Sequence, residues 1–174
     1  NKSGKVLLTM FSQNTNLLLA FLRDHNTARS VLDVFNDLYA MFGRETYCRL
    51  FPVILTDRGS EFSNPVPIEQ DENDELRSLV FYCNPGAPYQ KGGIEVAHEL
   101  VRRVLPKGKS FDDLQQEDID LMLSHINSYK RGKLNSRSAY QLFNFIYGDD
   151  ILPKLNIREI EANDIVLSPK LLKK

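Results

Sequence analysis

Apolar positions along the chain fall into short blocks and helical stripes, separated by polar, glycine-bearing or proline-bearing joints. Two apolar runs, Lys5–Phe11 and Asn16–Leu22, flank the polar Ser12–Thr15 segment, which predicts two strands and a turn. From about Thr27 to Phe42, residues Ala28, Val31, Leu32, Phe35, Tyr39 and Phe42 recur at helical spacing, with Gly43 as a natural stop. Phe51–Thr56 reads as a strand that delivers Asp57 at its end. Asn64–Ser78 holds Pro65, Pro67 and the acidic run Asp71–Glu75, and reads as a loop. Those acids lack the ligand order and central glycine of a calcium loop, so a solvated acidic turn is expected. Leu79–Tyr82 is a short strand, followed by the Gly/Pro-rich connector Asn84–Gly93.

The second half is helical. A helix from about Gly93 to Leu105 carries Ile94, Ala97, Val101, Val104 and Leu105 on one face. Glu95, His98, Glu99 and Arg102 share the opposite face. Further helices are predicted over Gln116–Tyr129, burying Ile119, Met122, Leu123 and Ile126, and from Ser138, where Gln141 completes a capping box. The tail Ile151–Lys174 is mixed, with a short strand expected at Asp164–Leu167. This order of elements implies an α/β domain with a mixed sheet flanked by helices, residues 1–150 forming the core and 151–174 an appended tail.

Composition narrows the class. The 174 residues, 42% apolar and 26% charged, suit one globular domain. No apolar run approaches the roughly 18 residues of a membrane span, so no membrane partner is expected. Cys48 and Cys83 stand alone, which suits a reducing cytoplasm, and His25, His98 and His125 form no zinc spacing. A net charge of −1 argues against a dedicated nucleic-acid binder. The charge is uneven, however: Glu69–Glu75 is acidic, whereas Arg102, Arg103, Lys107, Lys109, Lys130, Arg131, Lys133 and Arg137 form basic clusters suited to phosphates.

Asp57 and Glu95, one on a strand tip and one at a helix start, are the candidate chemistry. Hard cations such as Mg²⁺ take oxygen ligands, usually one or two carboxylates with water and substrate phosphate. Two such ions clamp the attacking and leaving oxygens of an in-line displacement. The structural alternative is concrete: Asp57 as a turn former before Gly59, and Glu95 as a partner of a helix dipole.

The segments Thr56-Asp-Arg-Gly-Ser-Glu-Phe62, Phe81-Tyr-Cys-Asn-Pro85, Tyr89-Gln-Lys-Gly-Gly-Ile-Glu95 and Val104-Leu-Pro-Lys-Gly108 resemble the catalytic core of DDE transposases of the IS30 family, related to retroviral integrases. Leu114–Asp118, His125–Tyr129 and Ser138–Phe143 resemble the segments that follow in that family, so the likeness runs from Lys5 to about Lys170. It implies an RNase H-like fold and a DNA transferase using two Mg²⁺ (or Mn²⁺) ions. Such enzymes nick transposon ends with water, then direct the freed 3′ hydroxyl at target DNA.

By this resemblance Asp57 matches the second acid of the triad and Glu95 the third, both as catalytic metal ligands. The first acid is expected upstream of Asn1, as is an end-recognising helix-turn-helix, so this chain alone is expected to be inactive. The resemblance further implies DNA as partner (transposon ends and target), a homodimer of the full protein, and a bacterial, nucleoid-associated cytoplasmic setting. Lys91 is the leading phosphate contact, followed by Arg102, Arg103 and Lys107. Departures from the family pattern are Arg58, where Asn is usual, and Val96 and Ala97, where polar residues are common. These favour a rival reading, a non-catalytic DNA-binding or assembly module of the same fold. A general RNase H-type nuclease is a third reading.

Overall fold

The computed structural model describes residues 4–84, 90 and 92–172. Within it the chain forms two compact units, residues 23–92 and residues 1–22 with 93–174. Both mix helix with short strands, so the α/β expectation holds, and the described strands pair as three two-stranded sheets.

In the unit 23–92, α1 (Ala28–Leu50) starts at Thr27, whose side chain accepts from the Ser30 N–H at 3.1 Å. A cap of this kind satisfies one of the orphan donors at a helix start. Gly43 breaks the helix as its composition predicts, with φ +72°, but the chain then re-enters helix and continues to Leu50. Burial of Tyr47 in that added turn explains the restart: its ring packs edge-on against Tyr39 and tilted against Phe51. β3 (Val53–Thr56) and β4 (Leu79–Tyr82) pair in parallel, with Val53 opposite Leu79 and Thr56 opposite Tyr82.

The stretch between these strands is more ordered than a solvated loop. It contains a short helix, α2 (Val66–Glu69), and a bridge between Gln70 and Leu76. Asp71 is 5% exposed at its side chain. It accepts from the Tyr39 hydroxyl at 2.8 Å, from Arg44 at 3.2 Å, and from the N–H groups of Asn73 and Glu75. The Tyr39 hydrogen bond, first among these, holds its carboxyl below the usual range. Buried Arg77 knits the unit together. Its guanidinium donates to the carbonyls of Ile68 and Pro67 and to Asn36, and lies over the Tyr39 and Tyr47 rings.

In the other unit, β1 (Val6–Phe11) pairs with β2 (Leu18–Arg23) across a turn closed by Ser12 N–H donating to the Leu17 carbonyl. The core is built from Leu17–Ala20 and the inward faces of α3 (Gly92–Val104) and α4 (Gln116–Ser128). Ile119, Met122, Leu123 and Ile126 are all buried, as their spacing predicts. Buried Asn127 accepts from the Leu18 N–H and donates to the Leu18 carbonyl, at 2.9 and 2.8 Å. Gln116 does the same one end along, accepting from Leu22 N–H and donating to the Ala20 carbonyl. Two polar side chains of α4 thus satisfy backbone groups of β2 that no strand pairs.

After α4 come a small antiparallel ribbon, β5 (Lys130–Arg131) and β6 (Arg137–Ser138), then α5 (Ala139–Tyr147) and α6 (Ile151–Lys154). The Ser138–Gln141 capping box forms as expected. The strand expected at Asp164–Leu167 does not; that segment holds a 3-10 turn and extended chain. Its Val166 N–H donates instead to His125 Nδ1 at 3.1 Å, so the segment is anchored by a side chain rather than by a neighbouring strand.

Candidate functional site

Asp57 directly follows β3, at the carboxyl end of a parallel pair, where open α/β sheets place their ligands. Its side chain is exposed, and Oδ1 accepts from the Gly59 N–H at 3.1 Å. The turn is tight enough that a Cβ on Gly59 would stand 2.5 Å from a Glu61 carboxylate oxygen and 3.1 Å from Asp57 Oδ1. Two carboxylates fold back over Gly59, and a larger residue there would displace the Glu61 side chain. Glu61 was not singled out in the sequence; the acid–X–Gly–X–acid spacing over 57–61 is the signal for it. Glu61 acts electrostatically on Arg23, whose guanidinium pKa is lowered by burial and partly restored by that carboxylate.

Glu95 lies in the first turn of α3 and is exposed. The start of this helix is set against β1 by steric fit: a Cβ on Gly93 would come within 2.2 Å of the Phe11 ring. One turn on, His98 hydrogen-bonds Thr9 Oγ1 at 2.8 Å, a second tie to the same strand. His98 thus has a positioning contact beneath Glu95. Ala97 is fully buried in the core, which accounts for a small apolar residue at that point, whereas Val96 is exposed beside Glu95.

Arg102 and Arg103 occupy the last turn of α3 and are exposed, and Lys107 is exposed just beyond it. Cations there complement the helix dipole as well as offering charge to solvent. Lys91 and Tyr89, the phosphate and stacking candidates of the connector, lie outside the described residues. Asp57 belongs to the unit 23–92 and Glu95 to the other, each placed by its own local framework.

Both carboxylates are hard oxygen donors on the ends of regular elements, the donor chemistry that Mg²⁺ or Mn²⁺ accepts. Among the described residues no group of three or more His, Cys, Asp or Glu side chains gathers as a complete cage. Each of the two carboxylates, within its own unit, is exposed to solvent. No helix among the described residues is long and apolar enough to cross a membrane.

Comparison with known proteins points to one kind of biology. The chain is 29% identical over 137 residues, 79% of its length, to a protein of Spiroplasma virus SpV1-R8A2 B named "Putative integrase ORF3". It is 35% identical over 63 residues to the transposase for insertion sequence element IS1086 of Cupriavidus metallidurans. Over 94 residues it is 27% identical to the transposase for insertion sequence element IS4351 of Bacteroides fragilis. The matched regions are 36% and 54% of this chain for the latter two. The chain spans 40%, 19% and 28% of the lengths of these relatives. No family profile matches the chain. All three of these relatives are named as an integrase or as transposases for insertion sequence elements.

Proposed function

We propose that this chain is the RNase H-like catalytic core of a DDE transposase of the IS30 type, a polynucleotidyl transferase that nicks transposon DNA ends and joins the 3′ hydroxyl to target DNA. The observation that carries the reading is the placement of Asp57 at the end of a parallel strand and of Glu95 in the first turn of a helix, within a chain similar to integrase and transposases. Asp57 and Glu95 hold divalent metal in this proposal. When bound, Mg²⁺ or Mn²⁺ supplies charge stabilisation at the phosphodiester and activation of the attacking hydroxyl.

The chain's own residues do the positioning. The Gly59 N–H orients Asp57 Oδ1. The Thr9–His98 bond and the Phe11–Gly93 fit fix the helix that carries Glu95. Arg102, Arg103 and Lys107, with Lys91, provide the charge that holds a DNA backbone. The partners proposed are transposon-end and target DNA and a second copy of the full protein.

The test uses full-length protein with its natural flanking DNA and Mg²⁺ or Mn²⁺. Wild type is expected to nick and join, and Asp57→Asn and Glu95→Gln each to lose at least 100-fold, on the order of the loss seen when a main charge-stabilising group is removed. Equal activity in all three removes both residues from the mechanism. DNA binding without cleavage by wild type selects instead the non-catalytic assembly module, to which exposed Val96 beside Glu95 lends weight. Cleavage of RNA–DNA hybrid without joined products selects a nuclease.

A further inference from the structure

The ribbon β5–β6 carries an electrostatic arrangement that a protein folding for itself alone would avoid. Arg131 stands directly opposite Arg137 in the antiparallel register. Opposed residues project from the same face, and like charges so placed repel. The ribbon is closed by a 3-10 turn at Gly132–Leu134 and by two consecutive left-handed residues, Asn135 and Ser136, with φ 51° and 61°. Lys133 lies in that turn and Lys130 starts the ribbon, both exposed.

Nothing nearby in the chain balances these charges. No acidic residue occurs between Asp120 and Asp149. Among the described residues no ion pair joins Lys130, Arg131, Lys133 or Arg137 to a carboxylate. Glu159, on the segment that crosses Ser128, is taken up by Gln141. Arg131 is half-buried, and its Nε and Nη2 are shut from solvent with no hydrogen-bond acceptor among the described residues. Burial depresses its pKa, and the Tyr129 hydroxyl is the group that favours its charge. In the other unit Arg44 and Arg77 have acceptors, and Arg23, whose Nε is also without one, has acceptors for both terminal nitrogens.

We propose that this ribbon is a phosphate clamp, in which Arg131 and Arg137, flanked by Lys130 and Lys133, hold a backbone phosphodiester of duplex DNA. The assignment rests on the reading above that the chain handles DNA, and adds contact residues to those already named at the end of α3. An anion between the two guanidinium groups relieves their repulsion and favours the charged state that burial disfavours. Forked donors on Arg suit phosphate oxygens. A contact of this kind fixes position on the duplex without reading its sequence.

Binding is measured by fluorescence anisotropy on full-length protein in EDTA, with a duplex of arbitrary sequence over a range of salt. Arg131→Gln with Arg137→Gln is expected to raise Kd about tenfold near 0.1 M salt and to reduce the log–log salt slope by about 1 to 2. Arg137→Gln alone, at an exposed position, is expected to weaken binding while melting no lower than wild type, because it removes a repulsion. A merely structural arginine would instead lower the melting temperature. Wild-type affinity and slope in both variants overturn the clamp, as does protection of wild type by inorganic phosphate with no binding to DNA. Binding in EDTA is read without metal or cleavage, so failure of the catalytic reading in the nicking assay leaves this result separately readable.

Discussion

The two units treat their cations in opposite ways. Residues 23–92 contain seven Lys and Arg against eleven Asp and Glu, and the remainder of the chain fifteen against twelve. In the first unit several guanidinium groups have partners within the unit: buried Arg77 serves three backbone or amide oxygens, while exposed Arg44 joins Asp71 and Glu75 and exposed Arg29 pairs with Asp33. In the second, Arg102, Arg103 and Arg137 are exposed, and Arg131 is half-buried without acceptors for Nε and Nη2. A near-neutral total thus hides an acidic unit in which Arg77 and Arg44 tie elements together and a basic one in which Arg102, Arg103 and Arg137 are exposed. Net charge is a weak guide to nucleic-acid binding when it averages over two such regions.

Breaking the first arrangement should have the largest effect. Arg77→Leu removes the partner of the Pro67 and Ile68 carbonyls beneath a residue that is itself buried. Loss of about 3 kcal/mol is expected from hydrogen bonds to a charged group left unmade, read by urea denaturation. A midpoint unchanged from wild type would mean that this arginine is not what organises the unit.

Acidification should separate the units next. His125 has its pKa lowered from 6.5 by burial, opposed by Asp164, and accepts the Val166 N–H at Nδ1 in its neutral form. A depressed histidine contributes stability that is whole above pH 6.5 and is lost as pH falls toward its folded value. Asp71, lowered from 3.8 chiefly by its Tyr39 hydrogen bond, keeps its contribution until pH falls below that value. Amide exchange, corrected for intrinsic rates, should therefore show Val166 losing protection as pH drops from 7 through 6, while Asn73 and Glu75 retain theirs to below 4. Simultaneous loss at all three would erase the distinction.

The smallest expected change in stability tests the outward-facing cations. Arg102→Gln with Arg103→Gln should alter stability by no more than about 0.5 kcal/mol, as for surface substitutions generally. DNA affinity should fall at the same time. A large loss of stability would place these residues with Arg77 as architecture.

Much of the fold was legible because its signals are local. Apolar spacing along α4, the Ser138–Gln141 cap and the strand before Asp57 each depend on neighbours in sequence. Gly43 was a true break, but the restart beyond it depends on Tyr47 finding Tyr39 and Phe51. Asp71 looked like one of five solvated acids, yet its partners Tyr39 and Arg44 come from α1, about thirty residues away in sequence. Ile165-Val166-Leu167 has strand composition but no strand beside it among the described residues; the acceptor it found is a histidine ring on α4. At the candidate site, the local settings of Asp57 and Glu95 could be read from a strand end and a helix start. For Glu61 the spacing over 57–61 was the one signal, and its approach to Asp57 depends on the fold of the turn around Gly59. The Arg131–Arg137 opposition was equally hidden, because register is invisible until the ribbon closes.

The amides of Asn127 and Gln116, bonded along Leu18, Ala20 and Leu22, have one more effect. An unpaired strand margin invites templating by a foreign β-segment, and here those hydrogen-bonding groups are already occupied by side chains from a helix. Any growth of this small sheet by an added strand must therefore proceed from the β1 side, which makes its extension directional.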